Sequence, residues 1–281
     1  MILKNKKVIL TGAGGGIGSV IADKLAEEGA AIVLIDLVQL ALEETLKKIK
    51  VKSSSSFYIV TDISSERHVK TACEEIENKI GDVDVLVNSA GIQAPIGNFY
   101  LNDLEKWKKN IEVNLLGTVN FTYHVLTSMM KKKKGKIINF SGGGSTSPRP
   151  ALSAYAVAKT AVVRFTETIA EELKDYNIDI NAVAPGAINT KMLDEVLQAG
   201  ESSGKEYFDA LKRKDEGGNS PELVADLICF LASEKSDGIT GKLISAPWDP
   251  WINKDFQELL RTDKDFGTLR RIDNKTFFKK T

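Results

Sequence analysis

The sequence predicts an α/β protein built as a doubly wound parallel sheet with helices on both faces, and three features predict it. Short β-branched runs alternate along the chain with longer segments of helical period. Most of these runs are apolar throughout, which suits strands covered on both sides, because neither face of such a strand meets water. A glycine-rich turn joins the first run directly to the first helical segment, the placement used in nucleotide-binding units.

Taken in order, Lys7 to Thr11 is the first predicted strand, followed by a helix from Ile17 to Glu28 and a strand from Ala31 to Asp36. Further strands are predicted near Phe57 to Thr61, Val83 to Asn88, Lys136 to Phe140, Asp179 to Ala184 and Leu243 to Ser245, with helical segments between them. Ser53 to Ser56 reads as a loop. Lys131 to Lys134 reads as the basic end of a helix, favourable to its dipole and closed by Gly135. No solenoid repeat and no Pro/Gly-rich linker divides the chain, so one domain is expected over residues 1–246. After Ala246 the character changes: Pro247, Trp248, Pro250 and Trp251 lead into a charged tail ending in FFKKT. Residues 247–281 are therefore expected to form a C-terminal extension, an appendage and not a second core, with Trp248 and Trp251 as packing residues.

The 281 residues, 42% hydrophobic and 27% charged, sit in the ordinary globular range. Lys plus Arg equals Asp plus Glu at 38 each, so no global field draws the chain to nucleic acid or an anionic membrane. A small-molecule partner is expected instead. The N-terminus MILKNKKVILTG enters a strand pattern with no long apolar stretch or cleavage site, which points to a cytoplasmic address. Cys73 and Cys229 each fall in a helical pattern and read as buried free thiols, and no metal site is expected.

The turn after the first strand is Thr11-Gly12-Ala13-Gly14-Gly15-Gly16-Ile17-Gly18. Missing side chains there let the backbone turn tightly, approach a pyrophosphate and pack the helix start on the strand. Asp36 ends the second strand, where such units place the residue that meets the adenosine ribose. Its carboxylate can accept both ribose hydroxyls, whereas a 2′-phosphate would face like charge, on the order of 4 kcal/mol at about 4 Å. With no cation at Gly15 or Leu37 to neutralise that phosphate, NAD is the expected cofactor. The alternative for Asp36 is a simple strand-ending turn residue.

Ser153-Ala154-Tyr155-Ala156-Val157-Ala158-Lys159 opens a helix, with Ser153 its expected cap. Tyr155 and Lys159 are one turn apart and project from the same side. A phenol is a poor base at neutral pH, but an adjacent ammonium favours phenolate and is expected to lower its pKa.

Together these residues resemble the short-chain dehydrogenase/reductase family over about residues 5 to 245. The match comprises the TGxxxGxG turn at Thr11 to Gly18, Asp62, Asn88-Ser89-Ala90-Gly91, Asn114, Tyr155 with Lys159, and Pro185-Gly186 followed by Thr190. The resemblance implies a Rossmann fold with seven parallel strands, a nicotinamide cofactor across the carboxyl edge, and homo-tetramers or homo-dimers. It implies that Tyr155 is the acid or base on the substrate oxygen, that Lys159 tunes it and holds the nicotinamide ribose, and that Asn114 helps position a water-linked proton path. It places Gly12, Gly16, Ile17, Gly18, Asp36 and Leu37 on the nucleotide, with Asp62 and Ile63 flanking adenine. Asn88, Ala90 and Gly91 would line the cofactor, and Pro185, Gly186, Ile188 and Thr190 its nicotinamide end. Residues of about 187–220 look like the family's mobile substrate lid. Asn114 can be read instead as satisfying a helix end, Asp62 as capping a turn, and Asn88 as a turn residue.

The chain departs from the family where a serine usually stands thirteen positions before the tyrosine, because Gly142 occupies that place. Ser141 is the expected substitute, with Ser145 or no serine as alternatives. Losing such a donor typically costs about 3 to 4 kcal/mol of transition-state stabilisation. Arg149, in the stiff Ser147-Pro148-Arg149-Pro150 segment, is either a ligand for a substrate carboxylate or phosphate or a solvated loop residue. The expected function is thus an NAD-dependent oxidoreductase acting on a carbonyl or secondary alcohol. The alternatives are an NAD-binding sensor or scaffold and a nucleotide-sugar epimerase or dehydratase.

Overall fold

In the computed structural model, which describes residues 1–272, seven parallel strands form one sheet. They are β1 (Lys7–Thr11), β2 (Ala31–Asp36), β3 (Phe57–Val60), β4 (Val85–Asn88), β5 (Gly135–Phe140), β6 (Ile178–Ala184) and β7 (Leu243–Ser245), ordered β3-β2-β1-β4-β5-β6-β7. The helices are α1 (Gly16–Glu27), α2 (Gln39–Ile49), α3 (Glu66–Ile80), α4 (Leu104–Ile111), α5 (Gly117–Lys132), α6 (Ser153–Glu172), α7 (Lys191–Ala199), α8 (Lys205–Glu216), α9 (Pro221–Ala232) and α10 (Lys254–Thr262).

Alternation along the strands splits the core in two. Val8 and Leu10 of β1 face Ile21 and Leu25 of α1, Leu42 of α2 and Leu227 of α9, whereas Ile9 faces Val69 of α3 and Phe121 of α5. Both faces of the central strands are therefore dry, each buried Leu or Ile contributing about 1.5–3 kcal/mol. The strand order reverses between β1 and β4, so their carboxyl ends flank a crevice, the usual ligand position in an open α/β sheet.

The strands fall within two residues of the predicted ones. The fourth begins later than expected because the Asp84 carboxylate accepts from Lys7 N–H at 2.9 Å in place of a ladder carbonyl. The end of α5 differs more. Lys133, not Gly135, takes the left-handed conformation with φ +48°, and Gly135 opens β5, where a Cβ would press on the Met129 sulfur. Ser153 does not cap α6; its hydroxyl accepts from the Trp107 indole N–H at 3.1 Å.

The described part of the extension folds onto its own chain. Trp251 and Leu260 join the core cluster of β1 and α9, while Trp248 lies exposed, contrary to its expected packing role. Lys242 Nζ donates to the carbonyls of Asp263 (2.6 Å) and Phe266 (2.9 Å), and Leu243 N–H donates to Gly267 O at 2.7 Å, covering the outer edge of β7. The segment is thus integral to the first core, which its polar sequence concealed. The FFKKT ending lies outside the described residues. Among those described, no helix is long and apolar enough to cross a membrane.

Candidate active site

The glycine turn sits where β1 meets β4. Gly12 adopts φ +70°, and a Cβ there would lie 2.8 Å from the Ala90 backbone. Thr11 Oγ1 fastens the two strand ends by accepting from Ser89 N–H and Ala90 N–H, both at 3.1 Å. A side chain on Gly18 would run into the Gly12 carbonyl, so helix and strand are in backbone contact. Beside Ile17, Gly16 takes φ +54° and faces the Thr190 methyl.

Helices α3, α4, α7, α9 and α10 begin with side-chain caps from Ser65, Asp103, Thr190, Ser220 and Asn253. Helix α1, like α2 and α6, has no side-chain cap and no acidic residue in its first turn, and it alone of these three starts from a glycine run, at Gly15. Its amide end suits an anion from outside the chain, as a dinucleotide pyrophosphate would supply. Asp36 shapes the same turn: its carboxylate accepts from Gly14 N–H (3.0 Å), Leu37 N–H (2.7 Å) and Val38 N–H (3.2 Å). Leu37 is exposed beside it.

Further along the edge, Asp62 accepts from the Ser64 N–H and hydroxyl at 2.9 and 2.6 Å, the arrangement of a turn cap. Ile63 is buried against Gly117, with its carbonyl held by Asn120 at 3.0 Å. The Asn88 carboxamide points into a buried network, donating to Asn139 Oδ1 (2.9 Å) and Thr122 Oγ1 (3.3 Å), so it fixes the end of β4 from within.

Tyr155 and Lys159 project from α6 at the end of β5, 7% and 3% exposed. Lys159 Nζ donates to Phe140 O at 2.9 Å and lies 5.7 Å from the Tyr155 ring centroid. Burial pushes Lys159 down to about 8, because the charged amine loses water. The phenol balance differs from the expected one. Burial raises the Tyr155 pKa, and the Arg149 guanidinium opposes that rise.

Asn114 lies in a π-helical turn, Glu112–Leu116, inserted between α4 and α5. Such turns often mark functional sites because they displace one residue from the helical register. The Asn114 carboxamide is committed to a loop: Oδ1 accepts from Ile92 N–H (3.2 Å), and Nδ2 donates to Ile92 O and Asn110 Oδ1, both at 2.8 Å. A Cβ on Gly91 would lie 2.5 Å from Asn114 Oδ1 and 3.5 Å from Lys159 Nζ, so Gly91 brings these groups together.

Asn110 is the site residue that the sequence reading missed. It is fully buried and donates to the carbonyls of Ala94 (2.7 Å), Ile92 (3.2 Å) and Gln93 (3.3 Å) while orienting Asn114. Two asparagines one turn apart within a helical segment were the available signal. Asn110→Leu is expected to cost about 2–3 kcal/mol, since it leaves several buried polar groups unpaired. Thermal unfolding should show a melting temperature lower by several degrees.

Ser141 is 1% exposed, and its hydroxyl has no hydrogen-bond partner within the protein, while its N–H donates to Val183 O at 2.9 Å. Ser145 is buried in the next turn, its N–H donating to Gly142 O at 3.2 Å. A Cβ on Gly142 would collide with the Tyr155 hydroxyl, so this tyrosine position requires glycine there. Arg149 is not a solvated loop residue: its Nε and Nη2 grip Glu206 at 2.8 and 2.7 Å.

Helices α7 and α8 span the segment expected to act as a lid and share a small core of Leu193, Val196 and Ala210 against Ile96. Its two ends meet, Asn219 N–H donating to Ala187 O at 2.8 Å. Thr190 caps α7 by accepting from Met192 N–H at 3.3 Å. Ile188 is buried, whereas Pro185 is partly exposed beside Gly186 (φ +81°), which abuts Pro247 and Asn219.

A doubly wound sheet, an uncapped glycine turn at its switch point and a buried Tyr/Lys pair beside that turn define a nucleotide-binding oxidoreductase. Comparison with known proteins agrees: the short chain dehydrogenase family model matches residues 6–200, and the chain belongs to that family. It is similar to the 3-oxoacyl-(acyl-carrier-protein) reductase of Thermotoga maritima, 34% identical over 87% of this chain and 97% of that protein. Among solved structures it resembles an NAD+-bound xylitol dehydrogenase, with TM-score 0.81 and 28% identity over 87% of this chain and 98% of the other. It also resembles a gluconate 5-dehydrogenase of Burkholderia cenocepacia in complex with NADP and tartrate, with TM-score 0.77 and 30% identity over 86% and 94% of the two chains.

Proposed function

We propose that this chain moves a hydride between NAD(H) and a carbonyl or secondary alcohol of a small molecule, with Tyr155 as acid or base on the substrate oxygen. The observation that carries the reading is the meeting of Tyr155, Lys159 and Gly91 at the carboxyl edge that also holds the uncapped start of α1. When bound, the nicotinamide supplies or accepts the hydride. Tyr155 gives or takes the matching proton at Oη, and Lys159, anchored on Phe140 O, supplies positive charge beside the phenol and the ribose.

In this reading Gly12, Gly16, Ile17 and Gly18 hold the pyrophosphate, Asp36 and Leu37 the adenosine ribose, and Asp62 and Ile63 the adenine. Ala90 and Gly91, with Asn88 behind them, line the middle of the cofactor. Pro185, Gly186, Ile188 and Thr190 face its nicotinamide end. The unpartnered Ser141 hydroxyl is the donor toward the substrate oxygen, with Ser145 behind it. The same reading places the protein in the cytoplasm as a homo-dimer or homo-tetramer.

A panel of secondary alcohols with NAD+, followed by NADH absorbance, tests the reaction. Sustained turnover is expected, and tight NAD+ binding with no turnover across the panel would favour a sensor or scaffold. The choice of NAD rests on the Asp36 carboxylate. Asp36→Asn keeps an acceptor for the turn amides but removes the charge, so the ratio of NAD+ to NADP+ affinity should fall about 100-fold by calorimetric titration. An unchanged ratio would place cofactor choice elsewhere.

A further inference from the structure

The glycine run after β5 seats two charged or ionisable groups side by side. A Cβ on Gly142 would strike the Tyr155 hydroxyl, and a Cβ on Gly143 would lie 2.8 Å from Arg149 Nη1. Both groups therefore lie against the same two-residue stretch of backbone. Arg149 Cζ stands 5.9 Å from the Tyr155 ring centroid. The guanidinium does not hold this place alone. Glu206, in the first turn of α8, takes its Nε and Nη2 in a bidentate grip, with both side chains mostly buried. Arg149 belongs to the body of the protein and Glu206 to the lid.

We propose that the lid presents Arg149 to Tyr155: Glu206 holds the guanidinium against the phenol, so that a second cation stabilises phenolate only while the lid is down. Lys159 on α6 serves the phenol from within the body, and Arg149 adds a contribution conditional on α8. The charged groups around this arrangement are Lys159 facing Tyr155, Glu206 and Asp209 facing Arg149, and Arg213 and Lys205 facing Glu206. The direction agrees with Arg149 opposing the burial-driven rise at Tyr155. Arg149 is thereby a positioning residue acting through Tyr155, and it deepens the proposed function on which it rests.

The test is a titration of tyrosinate ultraviolet absorbance, isolating Tyr155 by subtraction of the Tyr155→Phe protein, with saturating NAD+ present. A cation at this distance, partly offset by Glu206, is expected to lower the Tyr155 midpoint by about one pH unit, tenfold in proton affinity. Arg149→Met should therefore raise the midpoint by about that amount, and Arg149→Lys should recover part of it. Glu206→Leu separates aiming from simple charge. Removing a carboxylate would lower the midpoint by Coulomb's law alone, whereas releasing the guanidinium raises it, and a rise is expected. The exchanged pair Arg149→Glu with Glu206→Arg rebuilds the clasp but sets an anion beside the phenol, so its midpoint should exceed that of Arg149→Met.

An unmoved midpoint in Arg149→Met, a fall in Glu206→Leu, or an exchanged pair that titrates like wild type would each reduce the pair to a fastener and overturn the proposal. If the exchanged pair does not fold, the single variants decide. An unmoved midpoint together with an inactive Tyr155→Phe removes only this inference. An active Tyr155→Phe removes the functional reading itself.

Discussion

Replacing Tyr155 with phenylalanine is expected to lower alcohol turnover about 1,000-fold while leaving NAD+ affinity within about twofold of wild type. The substitution removes one hydroxyl from a ring that is otherwise buried, so α6 and its packing stay in place. General acid or base catalysis by a positioned side chain contributes about 100- to 10,000-fold, and the phenol is the group here that can exchange a proton with a substrate oxygen. Steady-state kinetics with an alcohol found in the panel, together with calorimetric NAD+ binding, separate the two effects. Turnover that survives the substitution would assign the proton to another group. The rate should also climb with pH, since burial raises the phenol's pKa and oxidation requires its deprotonated form.

Lys159→Met is expected to abolish useful turnover and, at the same time, to make the protein more stable at neutral pH. The amine falls from 10.5 to about 8 on burial, so below that pH the folded state holds an ammonium that it solvates worse than the unfolded chain does. That difference corresponds to about 3 kcal/mol. The Phe140 carbonyl loses its donor in the variant, which returns about 1 kcal/mol. A net gain of about 2 kcal/mol should raise the melting temperature by about 4–8 °C at pH 7. The sign follows from a depressed basic pKa: the destabilisation is complete below about pH 8 and fades toward 10.5, so the advantage should shrink as pH rises through that window. A variant that melts below wild type at pH 7 would show that the ammonium is better solvated than its burial indicates.

The parts of this molecule legible in the sequence are those specified by local pattern. Apolar runs such as Ile32 to Ile35 marked buried parallel strands, and the glycines from Gly12 to Gly18 marked the turn, because each constraint acts within a few residues. Tyr155 and Lys159 were legible for the same reason, being one helical turn apart. What stayed hidden depends on contacts between distant segments. Nothing near Arg149, in a loop, announces Glu206, 57 positions away on a helix. Nothing near Gly142 shows that the tyrosine hydroxyl occupies the space a side chain would need. The π-helical turn at Asn114 is set by the loop it grips and not by local propensity, and so is the role of Asn110. In the tail the packing of Trp251 was legible from its type, whereas the anchoring of Leu260 was not, because it stands among charged residues.

The way Phe266 and Gly267 lie alongside Lys242 and Leu243 has a bearing on solubility. A bare terminal strand is a template on which a foreign segment can lay down its own main chain, the first event in many forms of self-association. Here a turn of the chain's own C-terminal extension occupies that template and directs a carbonyl at the Leu243 amide. Growth of the sheet by a stray polypeptide is obstructed on that flank, and the protection comes from a stretch whose charged sequence first suggested a mere appendage.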